Sequence, residues 1–523
     1  MDFRYQKCFG LQGDEDRLSS LPSSILIAIL SLLPIKFAVI TSVLSKRWCR
    51  LWTFITAFRF DESTSKDFNA SSIINYVLPQ LLSPEIKTFV LLLDDHPYQA
   101  SEFGYSHSLY NSYTSQETYL TTLGTNIASW LQFFSTRKVQ TIEVRFFGDI
   151  TSDDKISTTL PSCLFQCKSL VSLILGIQLD IITLPDEISV PNLKIINMSH
   201  LNDNHENLLA NLFNSCPCLE DLRLSGNFDE DFDNRDGGRD IHVVVSSSKL
   251  KSLCIHTRNV RGKVGTIHVD IDAPNLKVFE ASDVSHSEFR FVCEPRELQS
   301  ASLTYSQGRM SRGTELFWAF RGVKALMLCF TMVIALNGLN GDIQLPTFHN
   351  LRHLEFTKTS HTCWKTLLRF LNHAPNVEKL TIRMSSIDEI LKVMCSLILI
   401  STAPRSIPID TPPPCSLQRV KEITICLKGL GYDHEAMYLL MYLLNNASAL
   451  ELLVVEVSAS DADCQGVGYR VKLFNIYVTL RMLLQTSLSR RIQGVLQRVK
   501  KEELPYMDFH DSELEESSSE LEE

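Results

Sequence analysis

The chain has 523 residues, of which 44% are hydrophobic and 21% charged, with a formal net charge of −10. That composition suits a folded soluble protein, but the length is too great for one core unless the chain grows by stacking repeats. The acidic balance opposes nucleic-acid binding, which needs clustered Lys and Arg to displace counterions. The fourteen cysteines follow no disulfide framework and suit a reducing compartment.

Residues 1–13 read as a disordered lead. The first long apolar stretch, "LPSSILIAILSLLP" from Leu21 to Pro34, carries no charge and is bracketed by prolines. A membrane span needs about 20 apolar residues, and a secretory signal opens on basic residues. Here "GDEDRLSS" precedes the stretch and Lys36 follows it, so neither applies and the expected location is cytoplasm, nucleus or both. At helical spacing Pro22, Ile25, Leu26, Ile29, Leu30 and Leu33 share a face, with Ser19 or Ser20 placed to cap it. Ile27 and Leu32 point elsewhere, so this helix is apolar almost all round. Pro34 ends it; "IKFAVITSVLS" reads as a second helix, and "KRWCRLW" sets cations beside Trp48 and Trp52. A module of about forty residues cannot enclose so much apolar surface. The surplus must face the rest of the chain or a partner.

Asp16 to Trp52 resembles an F-box, especially the plant type. Leu21-Pro22 match the family's opening; Ile25, Leu26, Ile29 and Leu32 match its apolar ladder; Leu33-Pro34 match its mid-motif; and "TSVLSKRW", Thr41 to Trp48, matches without a gap. Ser23-Ser24 stand where an acidic residue is common, and Phe37 and Ile40 replace commonly charged positions. The resemblance implies a three-helix module over residues 14–60 that docks on a Skp-type adaptor and, through it, a cullin ligase. Its adaptor-binding residues would be Leu21, Pro22, Ile25, Ile29, Leu32, Leu33, Pro34, Val43, Leu44 and Trp48.

Beyond Asp61 a phrase recurs: apolar-x-x-apolar-x-apolar. It reads "IKTFVL" at Ile86, "VQTIEV" at Val139, "LVSLIL" at Leu170, "LKIINM" at Leu193, "LEDLRL" at Leu219 and "LKSLCI" at Leu250. It returns as "LKVFEA" at Leu276, "LQSASL" at Leu298, "VKALML" at Val323, "LRHLEF" at Leu351, "VEKLTI" at Val377, "VKEITI" at Val420 and "LELLVV" at Leu450. From Val139 to Val377 the starts are 22 to 31 residues apart, and several follow the same turn, "VPN", "CPC" or "APN". A period of this size signals a leucine-rich-repeat solenoid over residues 84–399, each phrase giving one strand of a curved parallel sheet. The spacer His205 to Pro217 is helical in pattern.

Alternation within each phrase turns the residues flanking the second apolar position outward. Asn197, Asp221, Arg223, Glu280, His353 and Glu355 are the candidates for a client-binding strip on the concave side, a surface suited to protein recognition. Residues 94–124, rich in Tyr, Ser and His, read as a loop insertion, and residues 400–412 as a proline-rich linker.

Residues 413–457 read strand, loop, helix, strand, with Ala436, Leu439, Leu440, Leu443 and Leu444 on the helix's buried side. "VKEI" at Val420, Gly429 and Gly431, Glu435 and "LLNNASALELL" resemble the FBD domain that accompanies plant F-box and leucine-rich-repeat proteins. Residues 458–505 form an extension with a basic helix, and 506–523 an acidic tail too poor in apolar residues to fold. The fold class expected is α/β: an N-terminal three-helix F-box, a leucine-rich-repeat solenoid and an FBD-like end.

Catalytic and metal signatures are missing. "HEAMY" at His434 lacks the second His of a zinc protease helix, and "SSSK" at Ser246 has no supporting motif. Asp229 to Asp240 puts Asn234 where a calcium loop needs Gly. Cys163/Cys167 and Cys216/Cys218 lack a matching second half. The sequence thus points to a non-catalytic client-recognition subunit of a Skp-cullin-F-box ligase, with no cofactor, metal, nucleic-acid or membrane partner. The alternative is a leucine-rich-repeat interaction scaffold outside any ligase.

Overall fold

The computed structural model describes residues 18, 20–64, 70–93, 109–146, 160–177, 188–201, 215–227, 241–258, 267–282, 287–304, 313–329, 345–359, 364–384, 415–428, 442–444 and 446–458. The expected lead (1–13), linker (400–412), C-terminal extension and acidic tail lie outside them, as does most of the spacer from His205 to Pro217. The chain divides into two compact units, Met1–Glu297 and Leu298–Glu523.

The first unit opens with α1 (Ser23–Leu30) and α2 (Ile35–Ile40). Both start on a proline: Pro22 and Pro34 occupy the N-cap position with extended ψ, and no side chain caps either helix. The Pro22 carbonyl accepts from the backbone N–H groups of Ile25 and Leu26, and the Pro34 carbonyl from those of Phe37 and Ala38. Proline suits this place because its fixed φ already points the chain into the helix. The cap expected at Ser19 or Ser20 is therefore replaced by Pro22. A single 3₁₀ turn, Thr41–Val43, extends α2, and the expected third helix is a 3₁₀ helix, Trp48–Phe54. Ser31 ties the module together: its hydroxyl donates to the Ile27 carbonyl (2.7 Å) and accepts from the Thr56 backbone N–H (3.0 Å).

The strand β1 (Ala57–Asp61) follows immediately and pairs in parallel with β2 (Thr88–Leu93). The repeat sheet thus begins at Ala57, inside the span expected for the F-box and well before residue 84. Phe58 and Phe60 alternate inward in β1 like the apolar residues of every later phrase. The unit continues through β3 (Thr141–Phe146), β4 (Ser172–Gly176), β5 (Ile195–Leu201), β6 (Asp221–Asn227), β8 (Ser252–Arg258) and β10 (Val278–Ser282), all parallel neighbours in that order.

From "IKTFVL" to "VKEITI" the expected phrases bury their three apolar positions, as in Leu170/Leu173/Leu175, Leu219/Leu222/Leu224 and Leu276/Phe279/Ala281. The turn before the strand closes by a hydrogen bond from the first apolar residue: Leu193 N–H to the Val190 carbonyl, Leu219 to Cys216, Leu276 to Ala273. The turn asparagine links repeats, since Asn192 Nδ2 donates to the Lys168 carbonyl (2.8 Å) and Asn275 Nδ2 to the Ser248 carbonyl (2.7 Å). These bonds give the recurring Pro-Asn its physical purpose. A Pro alone would set φ; the Asn amide also satisfies the carbonyl of the turn one repeat earlier.

Two features escape the period. Residues 109–124, assigned to a loop insertion by composition, belong to the helix α4 (Leu109–Ser135), which follows the short helix α3 (Ala70–Val77). Leu123, Ile127, Trp130, Leu131 and Phe134 are buried, and Phe134 stacks on Phe89 with ring centroids 4.1 Å apart. That apolar stripe anchors the C-terminal half, and a nucleated helix propagates at little further cost into the polar residues before it. A second parallel sheet, order β11-β9-β7, comprises β7 (Ile241–Ser246), β9 (Ile267–Asp272) and β11 (Ser287–Phe291). Phe289 and Phe291 of β11 meet Phe279 of β10 edge-on, joining the two sheets.

The second unit repeats the plan with β12 (Ser300–Leu303), β13 (Ala325–Cys329), β14 (His353–Thr359), β15 (Lys379–Met384), β16 (Glu422–Lys428) and β17 (Leu452–Ser458), parallel throughout. Two helices, Gly313–Ala319 and Trp364–Asn372, contribute Phe317 and Phe370, which cluster with Phe348 and Phe356. The FBD-like segment supplies β16 and β17, which extend this sheet in register from β15. Leu443, Leu444 and Ala447 are buried beside them; the rest of the expected helix lies outside the described residues.

Candidate functional site

The N-terminal module sorts its apolar residues into two stripes. Leu26 and Leu30 of α1 are fully buried, as are Ile35 and Ala38 of α2, and with Trp48, Leu51, Trp52 and Ile55 they form the module's core. One residue round the helix, Ile25 and Ile29 are 45% and 36% exposed, and Leu32 beyond them is 74% exposed. Phe37, Ile40, Val43, Leu44, Leu18 and Phe54 are also exposed, Val43 by 82%. Among the described residues, nine of the large exposed apolar side chains therefore fall between Leu18 and Phe54, whereas the other seven are scattered from Tyr76 to Trp318. Single exposed apolar residues are ordinary; nine in so short a segment are not.

Among the residues expected to dock, Pro22, Ile25, Ile29, Leu32, Val43 and Leu44 are exposed, and Leu21, Leu33 and Pro34 are half-buried. Trp48 is the correction. It is only 3% exposed, within the 3₁₀ helix that packs against α1, and serves the core instead of the docking face. Its neighbour Arg47 does the outward work: Nη2 donates to the Leu21 carbonyl, pinning the Leu-Pro turn to a residue 26 positions on. Sequence reasoning missed Phe37, Ile40, Phe54 and Leu18 as parts of the exposed face. The signal for the first two was their i, i+3 spacing on α2, where charges would otherwise stand.

The expected client strip divides between the units. In the first, strand register sets Asn197 opposite Arg223, Arg223 opposite Cys254, and Cys254 opposite Glu280. Asp221 sits two residues before Arg223 and pairs with it, Oδ1 to Nε 3.3 Å. In the second, His353 lies opposite Lys379 and Glu355 opposite Thr381. Glu355 is 7% exposed and accepts from Arg383 Nε at 2.5 Å, so it is a structural group and does not face a client. The pull of a guanidinium two positions along the next strand explains the burial.

Beside the first apolar residue of two phrases, a carboxylate bridges bases on both neighbouring repeats. Glu220 bridges Lys194 (3.2 Å) and Lys251 (2.6 Å), and Glu378 bridges Arg352 and Lys421, both at 3.3 Å. Hydrogen bonding from Lys251 and then Lys194 holds the Glu220 carboxyl below its usual range.

Cysteines behave as small apolar residues at Cys216, where burial alone pushes the thiol up to about 12. Cys254 is likewise raised to about 12, by burial first and then by the Glu280 carboxylate. Among the described residues no helix is long and apolar enough to cross a membrane.

The comparisons agree with this architecture. Residues 18–55 match the F-box domain family, and residues 127–293 match the family described as FBD-associated F-box protein At5g56370, LRR repeats. Among curated proteins, the chain is similar to three from Arabidopsis thaliana. It is 28% identical to F-box/LRR-repeat protein At1g06630 over 375 residues, 71% of this chain and 85% of that one. It is 26% identical to FBD-associated F-box protein At4g10400 over 448 residues, 84% and 92%. It is 26% identical to F-box/FBD/LRR-repeat protein At4g26340 over 373 residues, 70% and 76%. A prolyl-started helical module joined to a parallel repeat sheet is the build of an F-box protein with leucine-rich repeats. The chain is thus similar to plant F-box/FBD/leucine-rich-repeat proteins, with an F-box match at its N-terminal module and a match to FBD-associated repeats in the sheet that follows.

Proposed function

We propose that this chain is the client-recognition subunit of a Skp-cullin-F-box ubiquitin ligase, acting as a non-catalytic adaptor in cytoplasm or nucleus. The exposed apolar face between Leu18 and Phe54 carries the reading. F-box domains in general bind Skp-type adaptors, and this face supplies what such an interface needs. Burying a Leu or Ile fully is worth roughly 1.5–3 kcal/mol. A handful of half-exposed side chains therefore exceeds the low end of an association cost of about 4–15 kcal/mol. The buried core beneath holds the face rigid, so little ordering entropy is lost on docking.

The repeat units would then hold a client protein, with Arg223, the exposed one of the residues named for it, as the most accessible contact. Catalysis in such a complex is proximity: a client lysine is held near the charged conjugating enzyme. The alternative, a scaffold outside any ligase, leaves nine exposed apolar side chains without a purpose.

Capture of a purified Skp-type adaptor by the full chain tests the reading. Wild type should retain it, and Leu32→Asp combined with Val43→Asp should lose it with an unchanged thermal unfolding midpoint. Absence of capture by wild type would hand the chain to the scaffold alternative.

A further inference from the structure

Cys254 and His256 stand two apart on β8, so both side chains leave the same face of the strand. Parallel register brings Glu280 of β10 opposite Cys254 and Ser282 opposite His256. Among the described residues this is the one place where three metal-ligating groups of different chemistry converge: Cys254 Sγ, a His256 ring nitrogen and a Glu280 carboxylate oxygen all lie within 4.8 Å of one another. Cys254 Sγ is 2.9 Å from His256 Nε2. On the far side of the ring, His256 Nδ1 is hydrogen-bonded to the Ser282 hydroxyl.

We propose that Cys254, His256 and Glu280 form a zinc site. Three features of the cluster argue for it. The donors are one sulfur, one imidazole nitrogen and one carboxylate, which as a set suit Zn²⁺ better than Mg²⁺ or Ca²⁺, which prefer all-oxygen shells. A thiolate, a carboxylate and a neutral imidazole balance a dication, and the nearby Arg223 already pairs with Asp221. Ser282 supplies the outer contact that ligating histidines usually have: by accepting from Nδ1–H it fixes the tautomer that leaves the Nε2 lone pair toward the sulfur. Ligands about 2.0–2.3 Å from a common ion sit roughly 3.5 Å apart, and rotation of the Glu280 side chain closes what remains.

The binding step is balanced. The Cys254 S–H bond breaks, its proton passes to solvent, and the sulfur forms a bond to the ion without change of oxidation state. Three protein donors leave the fourth tetrahedral position to water. Zinc at this point would cross-link β8 to β10 beyond the backbone ladder.

The test titrates Co²⁺ into full-length chain cleared of metal by chelator, reading thiolate-to-cobalt charge-transfer absorption, with zinc per chain measured separately by mass spectrometry. Wild type is expected to bind one equivalent and develop the band. Cys254→Ser and His256→Gln should lose both, and Ser282→Ala should keep the band with affinity about tenfold weaker. Glu280→Gln, a nearly isosteric change, carries the test should Cys254→Ser fail to fold, and should weaken binding at least as much as Ser282→Ala. Absence of the band in wild type would overturn the proposal, as would an equal band in folded Cys254→Ser, which would place the metal on other cysteines.

Discussion

Arg383 of β15 donates from Nε to Glu355 Oε1 on β14, 2.5 Å away and 28 residues back in the chain. The carboxylate is nearly buried while the guanidinium is half-exposed, so the acid depends on the base for its solvation. Removing the partner of a buried charged hydrogen bond costs about 1.5–3 kcal/mol. Glu355→Ala should lower the stability of the second unit by that amount in a denaturant titration, and Glu355→Gln by less. An unchanged midpoint for Glu355→Ala would show that the pair contributes nothing.

His353 gives the second unit a pH dependence. Burial, and after it the neighbouring Lys379, hold its pKa below the ordinary 6.5. The folded state therefore favours the neutral ring, and between the lowered value and 6.5 the unfolded chain binds more protons. Stability should be complete above pH 6.5 and fall as the pH drops through that window. The slope should be absent in His353→Gln. Equal slopes in both proteins would assign the dependence to another group.

The turn asparagines should matter in proportion to their single bond. Asn275→Ala removes the donor to the Ser248 carbonyl and should cost about 0.5–1.5 kcal/mol, while Asn275→Asp, which keeps the shape but loses the donor, should cost no less. Local hydrogen exchange at the amides of the β8 and β10 turns would report the loosening.

Trp48 separates core from face. It is buried to 3% exposure beneath α1, and truncating such a residue typically costs about 3–5 kcal/mol. Trp48→Ala should therefore unfold the N-terminal module, seen as lost protection of α1 and α2 amides, and lose adaptor binding only as a consequence. Full protection of α1 in that variant would place Trp48 outside the core.

Much of this was legible because burial follows a period. The phrase Leu-x-x-Leu-x-Leu states which side chains point inward, and Leu219, Leu222 and Leu224 obey it as Leu170, Leu173 and Leu175 do. Trp48 was misjudged because residue type suggests an interface anchor, whereas only the fold shows α1 packed over it. α4 was hidden by its Tyr- and Ser-rich first half, which composition alone reads as loop, although Leu123, Ile127, Trp130, Leu131 and Phe134 further on are buried. Cross-strand meetings were out of reach: Cys254 and Glu280 stand 26 residues apart, and nothing short of strand register places them together. Glu355 reads outward by alternation, but the sheet buries it against Arg383, a partner invisible until β14 and β15 were paired.

Side-chain oxidation footprinting of the full chain with and without a Skp-type adaptor tests the docking face most directly. Leu32, Val43 and Leu44, exposed by 74%, 82% and 62%, should lose most of their labelling when the adaptor is added, while Val292, also exposed, keeps its own. Unchanged labelling at all three under saturating adaptor would contradict docking through this face.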